Sequence, residues 1–279
     1  MAPTIPQPVV DRLALDVPAD LAPDGRPAYV GEAGGIEAYR WGSLLMRLPT
    51  SDEAVNSIEN ESRWLEEATA GLVRAGISAP IPRYRGSPSA AFTRPWLLVA
   101  VDGEPLPTVP VDDRGRIARD LAVGLAALHA KAPAAAPAVA SLNAMAEALE
   151  EAVAGNPQAD RLRALFARGV EADPWEGEPV WCHARLDPGS LLTAGGRLVG
   201  VGFTGIGRGD PAVDYAIFHL GFTAQQRADA RVILRALGAA DDGALWTRAE
   251  GWAAYRAASL VASGEPLARD YVDLLLADS

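Results

Sequence analysis

Short apolar runs broken by glycine open the chain, and helix-spaced apolar stripes fill most of the rest. Ala28-Tyr29-Val30, Ile36 to Trp41 and Leu44 to Leu48 are separated by Gly34-Gly35 and Gly42-Ser43. That pattern predicts three short antiparallel strands, the last closed by Pro49. Ser51 followed by Asp52 and Glu53 predicts an N-cap, and Val55, Ile58, Leu65 and Leu72 give a helix over 51–75 its apolar stripe. Ala79-Pro80-Ile81-Pro82 ends it. Trp96 to Val101 predicts a buried strand, stopped by Asp102-Gly103-Glu104-Pro105, a hinge between two lobes. Beyond it, Ile117, Leu121, Leu125 and Leu128 share one face of a helix running to Lys131. An Ala/Pro loop at 132–140 precedes helical stretches at 141–154 and 158–169, then β-like runs at 179–182 and 191–201. From Pro211 to Leu276 the pattern is mostly helical, with breaks near Gly221, Gly238 and Gly264. Residues 1–27, rich in Pro and Asp, predict an arm with little regular structure. A strand-rich unit at 1–101 and a helical unit at 102–279 make an α+β chain of two lobes.

Composition narrows the partners. The formal charge of −11 disfavours nucleic acid and anionic membrane surfaces, and also a polyanion such as ATP unless a local cation opposes it. Cys182 stands alone, so no disulfide forms within the chain, which suits a reducing, cytoplasmic setting. The first residues lack the basic and apolar blocks of a signal peptide, and no apolar stretch is long enough to span a bilayer. Three histidines (His129, His183 and His219) with one cysteine show no zinc spacing.

The chemistry concentrates in two segments. Trp181-Cys182-His183-Ala184-Arg185-Leu186-Asp187-Pro188-Gly189-Ser190-Leu191-Leu192 resembles the catalytic loop of the aminoglycoside phosphotransferase family, His-Gly-Asp-Leu-x-Pro-Gly-Asn-Leu-Leu. Val201-Gly202-Phe203-Thr204-Gly205, continuing to Gly209-Asp210-Pro211-Ala212-Val213-Asp214, resembles the family's metal-binding segment, Ile-Asp-Phe-Gly with Gly-Asp-Pro-Ala-x-Asp. Both align without a gap. Upstream, Leu45-Met46-Arg47-Leu48-Pro49 resembles the family's third strand, Glu61 to Leu65 its helix C, and Leu121 to His129 the helix ending Leu-x-x-Leu-His. The matches stand in the family's order along most of the chain. The resemblance implies a bilobal protein-kinase-like fold, with a small antiparallel-sheet lobe and a mainly helical lobe.

It also marks what is missing. Where the family places its base, this chain has Arg185; where an Asn holds a metal, Ser190; where an Asp holds that metal against the phosphates, Gly202. Arginine stays protonated and cannot act as a base. Glycine offers no side-chain oxygen, and Mg²⁺ needs carboxylate beside phosphate to hold it. Asp187 replaces the missing carboxylate only if the loop shifts register.

The resemblance assigns the remaining polar residues to the scaffold. His183 hydrogen-bonds the loop backbone, Arg47 pairs with Glu61, and Asp210 and Asp214 brace the loop and cap a helix. Arg185 has Asp187 or Asp210 as ion-pair partners. His129 reads as a satisfied core residue, and Cys182 as buried and inert.

The expected function is therefore a phosphotransferase-like protein that has lost ATP- and Mg-dependent transfer, needs no cofactor, and acts on a small natural product in the interlobe cleft. Metal-independent acid–base chemistry such as dehydration, conjugate addition or cyclisation would use His183 or Asp187 as base and Arg185 as a fixed cation beneath an oxyanion. That role assumes an Arg185 buried at the cleft floor. A non-catalytic binding or regulatory protein and an atypical residual kinase are the alternatives.

Overall fold

The glycine-bounded apolar runs pair with one another in the computed structural model, which describes residues 2–100, 102–239, 241 and 243–277. After a helix α1 (Gln7–Ala14), strands β1 (Ala28–Ala33), β2 (Ile36–Trp41) and β3 (Leu44–Pro49) form an antiparallel meander. Helix α2 (Asp52–Arg74) follows, then β4 (Pro82–Gly86) and β5 (Trp96–Ala100), completing one sheet of order β1-β2-β3-β5-β4. The remainder is β6 (Glu104–Pro105), α3 (Gly115–Leu128), α4 (Ala146–Ala152), α5 (Ala159–Glu171), β7 (Val180–Cys182), β8 (Leu191–Ala194), β9 (Arg197–Val201), β10 (Gly207–Gly209), α6 (Ala212–Tyr215), α7 (Ile217–Gly221), α8 (Ala224–Ala236), α9 (Gly243–Ala262) and α10 (Ala268–Leu276). This is the bilobal α+β arrangement, an antiparallel sheet followed by a helical body.

The sheet is buried on both faces, which is why β5 reads as an unbroken apolar run rather than an alternating one. Tyr39, Trp41, Met46, Trp96 and Leu98 point to the outer face, and Leu97 and Val99 to the inner face against Ala54 and Ile58 of α2. Helix α2 also gives Leu65, Ala68 and Leu72 to the large core of the helical body, so it joins the two lobes. Ser51 caps it as expected, accepting from the Ala54 N–H at 3.2 Å.

The N-terminal arm corrects the sequence reading. Pro6 and the Gln7-Pro8 step start a true helix, and Val10 and Leu13 of α1 bury against the outer face of the sheet with Ile5 and Val17. Composition hid it because only a few apolar residues suffice once a waiting sheet surface covers them. Glu37 clasps the arm: its buried carboxylate accepts from Thr4 N at 2.5 Å, Ile5 N at 3.2 Å and the Tyr39 hydroxyl at 2.7 Å. Removing these charge-assisted bonds in a Glu37→Ala variant should cost about 2–3 kcal/mol. Urea unfolding would measure that cost, and limited proteolysis should show cleavage ahead of β1.

Two further differences concern the lobe junction. The sequence reading missed β4, whose exposed arginines conceal a strand that pairs along β5 through Gly86 and Trp96. The segment expected to hinge contains β6, hydrogen-bonded to β8 through Glu104–Thr193 and Pro105–Leu192. Val101, the expected end of the strand and of the first lobe, lies outside the described residues.

Candidate small-molecule cavity at the degenerate loop

Strand β7 delivers its chain to the loop beginning at His183, and β10 pairs alongside it through Gly207–Cys182. The loop then bends sharply at Ala184, which has φ 66°, the left-handed region that a side chain disfavours. Asp214, fully buried on α6, holds that bend. Its carboxylate accepts from His183 N at 2.8 Å and Ala184 N at 2.9 Å, and lies 3.1 Å from His129 Nε2. Burial alone pushes the Asp214 pKa up, but the hydrogen bond and charge of His129 and the contacts of His183 bring it below the ordinary carboxylate value. Asp210 accepts from Ala212 N at 3.0 Å and pairs with the buried Arg248 at 2.7 Å.

His183 is out of reach as a base, which corrects its candidate catalytic role. It is fully buried and stacked on Phe203 at 4.4 Å between ring centroids. Its Nε2 faces the Gly202 carbonyl at 2.6 Å and its Nδ1 accepts from Arg185 N at 3.2 Å, so the ring is the Nε2-protonated neutral tautomer with both nitrogens engaged. Burial lowers its pKa, and that of His219, in α7, falls to about 3 for the same reason. Both rings are neutral when folded but take up a proton in the unfolded chain as pH falls below about 6.5. Stability is therefore complete above that value and lost progressively as pH falls toward 3. The melting temperature should stay nearly level from pH 7.5 to about 6.5 and then fall toward pH 5, with a shallower slope in a His219→Phe variant.

Arg185 overturns a second expectation. Its side chain is 52% exposed, not buried, and neither Asp187 nor Asp210 is its partner. The stem lies over Gly205, and the head reaches across to the sheet lobe. There it stands 3.8 Å from Glu53 on α2 and close against Gly34 in the β1–β2 turn. Gly34 has φ 59°, the left-handed region that favours glycine; a Cβ there would also fall 2.7 Å from Arg185 Nη1, a contact the exposed guanidinium can relieve by moving. Ser57 adds a second link between lobes by donating to the Thr204 carbonyl at 3.2 Å.

The residues present do not fit a metal–nucleotide phosphate pair. Asp187 is turned to its own loop: Oδ1 accepts from Ser190 N at 2.8 Å and from Ser190 Oγ at 3.0 Å. Ser190 therefore offers only the lone pairs of a neutral hydroxyl, and Gly202 supplies no side-chain oxygen. The space at Gly202 is nonetheless open, since a Cβ there would meet only Ser190 backbone atoms, at 3.6 and 3.9 Å. Arg47 is held by Glu61 through two hydrogen bonds, one of them 3.0 Å, with both side chains buried.

Two chambers open around this loop. One, of about 400 Å³, is walled mainly by apolar residues of the sheet and of the β8–β9 hairpin, among them Ile36, Leu45, Val99, Leu192 and Phe203. The other, of about 800 Å³, lies beside Arg185 and is bounded by α2, α9 and the loop at 138–140. Glu32, Asp187 and Thr204 line both. The cleft is therefore open in both halves, and its volumes suit small organic molecules. Arg256 of α9, which sequence reasoning passed over, faces the larger chamber and donates to the Ala184 carbonyl at 2.6 Å. Its spacing from Trp252, one helical turn earlier, puts both on one face and was the available signal.

Comparison with known proteins follows the same lines. The phosphotransferase enzyme family matches residues 34–257. No curated protein sequence matches. Among solved structures, the GDP complex of wild-type aminoglycoside 2'-phosphotransferase-IIIa is 18% identical, with 96% of each chain covered and a TM-score of 0.68. The apoenzyme of macrolide 2'-phosphotransferase MphH from Brachybacterium faecium is 20% identical, covering 90% of this chain and 91% of that one at a TM-score of 0.60. The streptomycin–ATP complex of APH(2")-IIa is 12% identical over 97% of this chain and 91% of that one, also at 0.60. Identities this low speak for the shared fold alone.

Proposed function

The chain belongs to the phosphotransferase enzyme family, and on that premise we propose that it binds a small molecule in its interlobe cleft without transferring phosphate to it. The observation that carries this reading is the pair Ser190–Gly202. One position offers only a neutral hydroxyl, which donates its proton to Asp187, and the other has no side chain, although a Cβ would meet no close contact there. Arg185 removes the base as well, since its guanidinium keeps its proton at any working pH. Phosphoryl transfer depends on positioning and on neutralising charge at the phosphates, and these are the parts that are gone. The fold, the braces at Asp210 and Asp214 and the two chambers support retention of binding. The division into lobes at 1–101 and 102–279, and residence in the cytoplasm, belong to the same reading. The sole cysteine, fully buried, is consistent with that compartment.

A second reading, an acid–base enzyme for a natural product, rests on Asp187. It lines both chambers, and only its Oδ1 takes part in the hydrogen bonds to Ser190. With His183 sealed, the proton acceptor in a dehydration, conjugate addition or cyclisation would be Asp187 Oδ2.

The test is transfer of labelled γ-phosphate from ATP or GTP, with Mg²⁺, to a panel of hydroxylated acceptors. No transfer is expected, and no rise in melting temperature with ATP and Mg²⁺. Transfer by the unaltered protein would sink the proposal. Loss of turnover of a candidate substrate in Asp187→Asn, with binding retained, would favour the enzyme over the binding protein.

A further inference from the structure

Two guanidinium groups, those of Arg185 and Arg256, line the larger chamber with few partners between them. Among the described residues, the only hydrogen bond made by either head is that of Arg256 Nη2 to the Ala184 carbonyl. The Nε of Arg256 is buried with no partner at all. Arg185 has only Glu53, 3.8 Å away and beyond hydrogen-bonding distance. Asp214 is committed to the loop amides and His129, while Asp187 binds Ser190 through Oδ1 alone. Burial first, and the charge of Arg185 last, lower the Arg256 pKa, while Asp214, Asp187 and Tyr255 oppose the fall.

Resting on the binding reading above, we propose that Arg185 and Arg256 form an oxyanion subsite, and that the ligand is a small hydroxylated molecule bearing a carboxylate or phosphate. Arg185 is half exposed and its head makes no close hydrogen bond to the described residues, so its donors are open to an incoming oxyanion. Arginine's planar fork suits both carboxylate and phosphate oxygens. The rest of the chamber sets the rest of the ligand. Glu32, Glu53, Asn56 and Asn60 present acceptors on the α2 and β1–β2 side, which matches hydroxyl or amine donors. Trp252 and Tyr255, set edge to face, give the α9 side an aromatic surface. Glu53 stands 3.8 Å from Arg185 and Glu32 lines the same chamber, so a polyanion would be repelled and the ligand carries a single anionic group.

Isothermal titration with gluconate, glucose 6-phosphate, inorganic phosphate and glucose tests this at matched ionic strength. Gluconate or glucose 6-phosphate should bind, with glucose at least tenfold weaker; which of the two prevails separates a carboxylate from a phosphate ligand. Arg185→Ala, an exposed position, should weaken the charged probe about tenfold while leaving the melting temperature unchanged. Arg256→Met should weaken it further, and circular dichroism of that variant checks that the loop still folds. Equal binding of glucose and gluconate, wild-type affinity in both variants, or no response to any charged probe would overturn the subsite. Adding ATP and Mg²⁺ to the same mixtures addresses the underlying reading separately: phosphorylated glucose or gluconate would end that reading, whatever the arginines do.

Discussion

An Asp214→Ala protein is expected to lose about 3–5 kcal/mol of stability, a large share of what a domain of this kind possesses. Three groups lose their acceptor at once: the His183 and Ala184 amides and His129 Nε2, each within 3.1 Å of the carboxylate. None can turn to water, because Asp214 is fully buried and the His129 side chain is only 6% exposed. The loss also frees Ala184 from its left-handed conformation, whose strain only surrounding bonds sustain. Asp214→Asn keeps one acceptor oxygen and should fall between the two proteins. Equilibrium unfolding in urea measures the series. A cost below about 1 kcal/mol for the alanine variant would mean that the loop holds its shape without this carboxylate.

The second large effect is expected at Arg47 and Glu61. Arg47 sits on the inner side of the sheet, in register with Ala38 and Leu97, and reaches α2 through the paired bonds to Glu61. Truncating either residue alone strands a buried charge and should cost about 3–5 kcal/mol. Replacing both with apolar residues of similar volume, Arg47→Met with Glu61→Leu, should recover most or all of that loss. A double-mutant cycle by thermal and urea unfolding reads the coupling directly. If the double variant is as unstable as the sum of the singles, the pair contributes no coupling, and α2 is positioned by Ala54, Ile58 and its helical-lobe contacts instead.

How much of this was legible beforehand depends on whether the signal was local. The meander of β1 to β3, the cap at Ser51 and the stripe on α3 could be read directly, because turn chemistry and periodicity act within a few residues. Helix α1 and strand β4 escaped because their partners are distant: α1 is stabilised by a sheet face, and β4 by the edge of β5. The loop was legible as a motif, so the substitutions at 185, 190 and 202 could be named from the sequence. Their surroundings could not. An arginine in a loop gives no sign whether it is buried, and Arg185 instead spans to Gly34 and Glu53 in the other lobe. Arg256 belongs to the same class of omission, since its meeting with Ala184 joins residues far apart in sequence.

The room beside Gly202 bears on what this position would accept. A Cβ there would meet only the Ser190 backbone, at 3.6 and 3.9 Å, which is ordinary contact distance. The wall is thus already shaped to admit the start of a side chain. That makes this one position the easiest place to alter the chemistry of the cleft while leaving its frame alone.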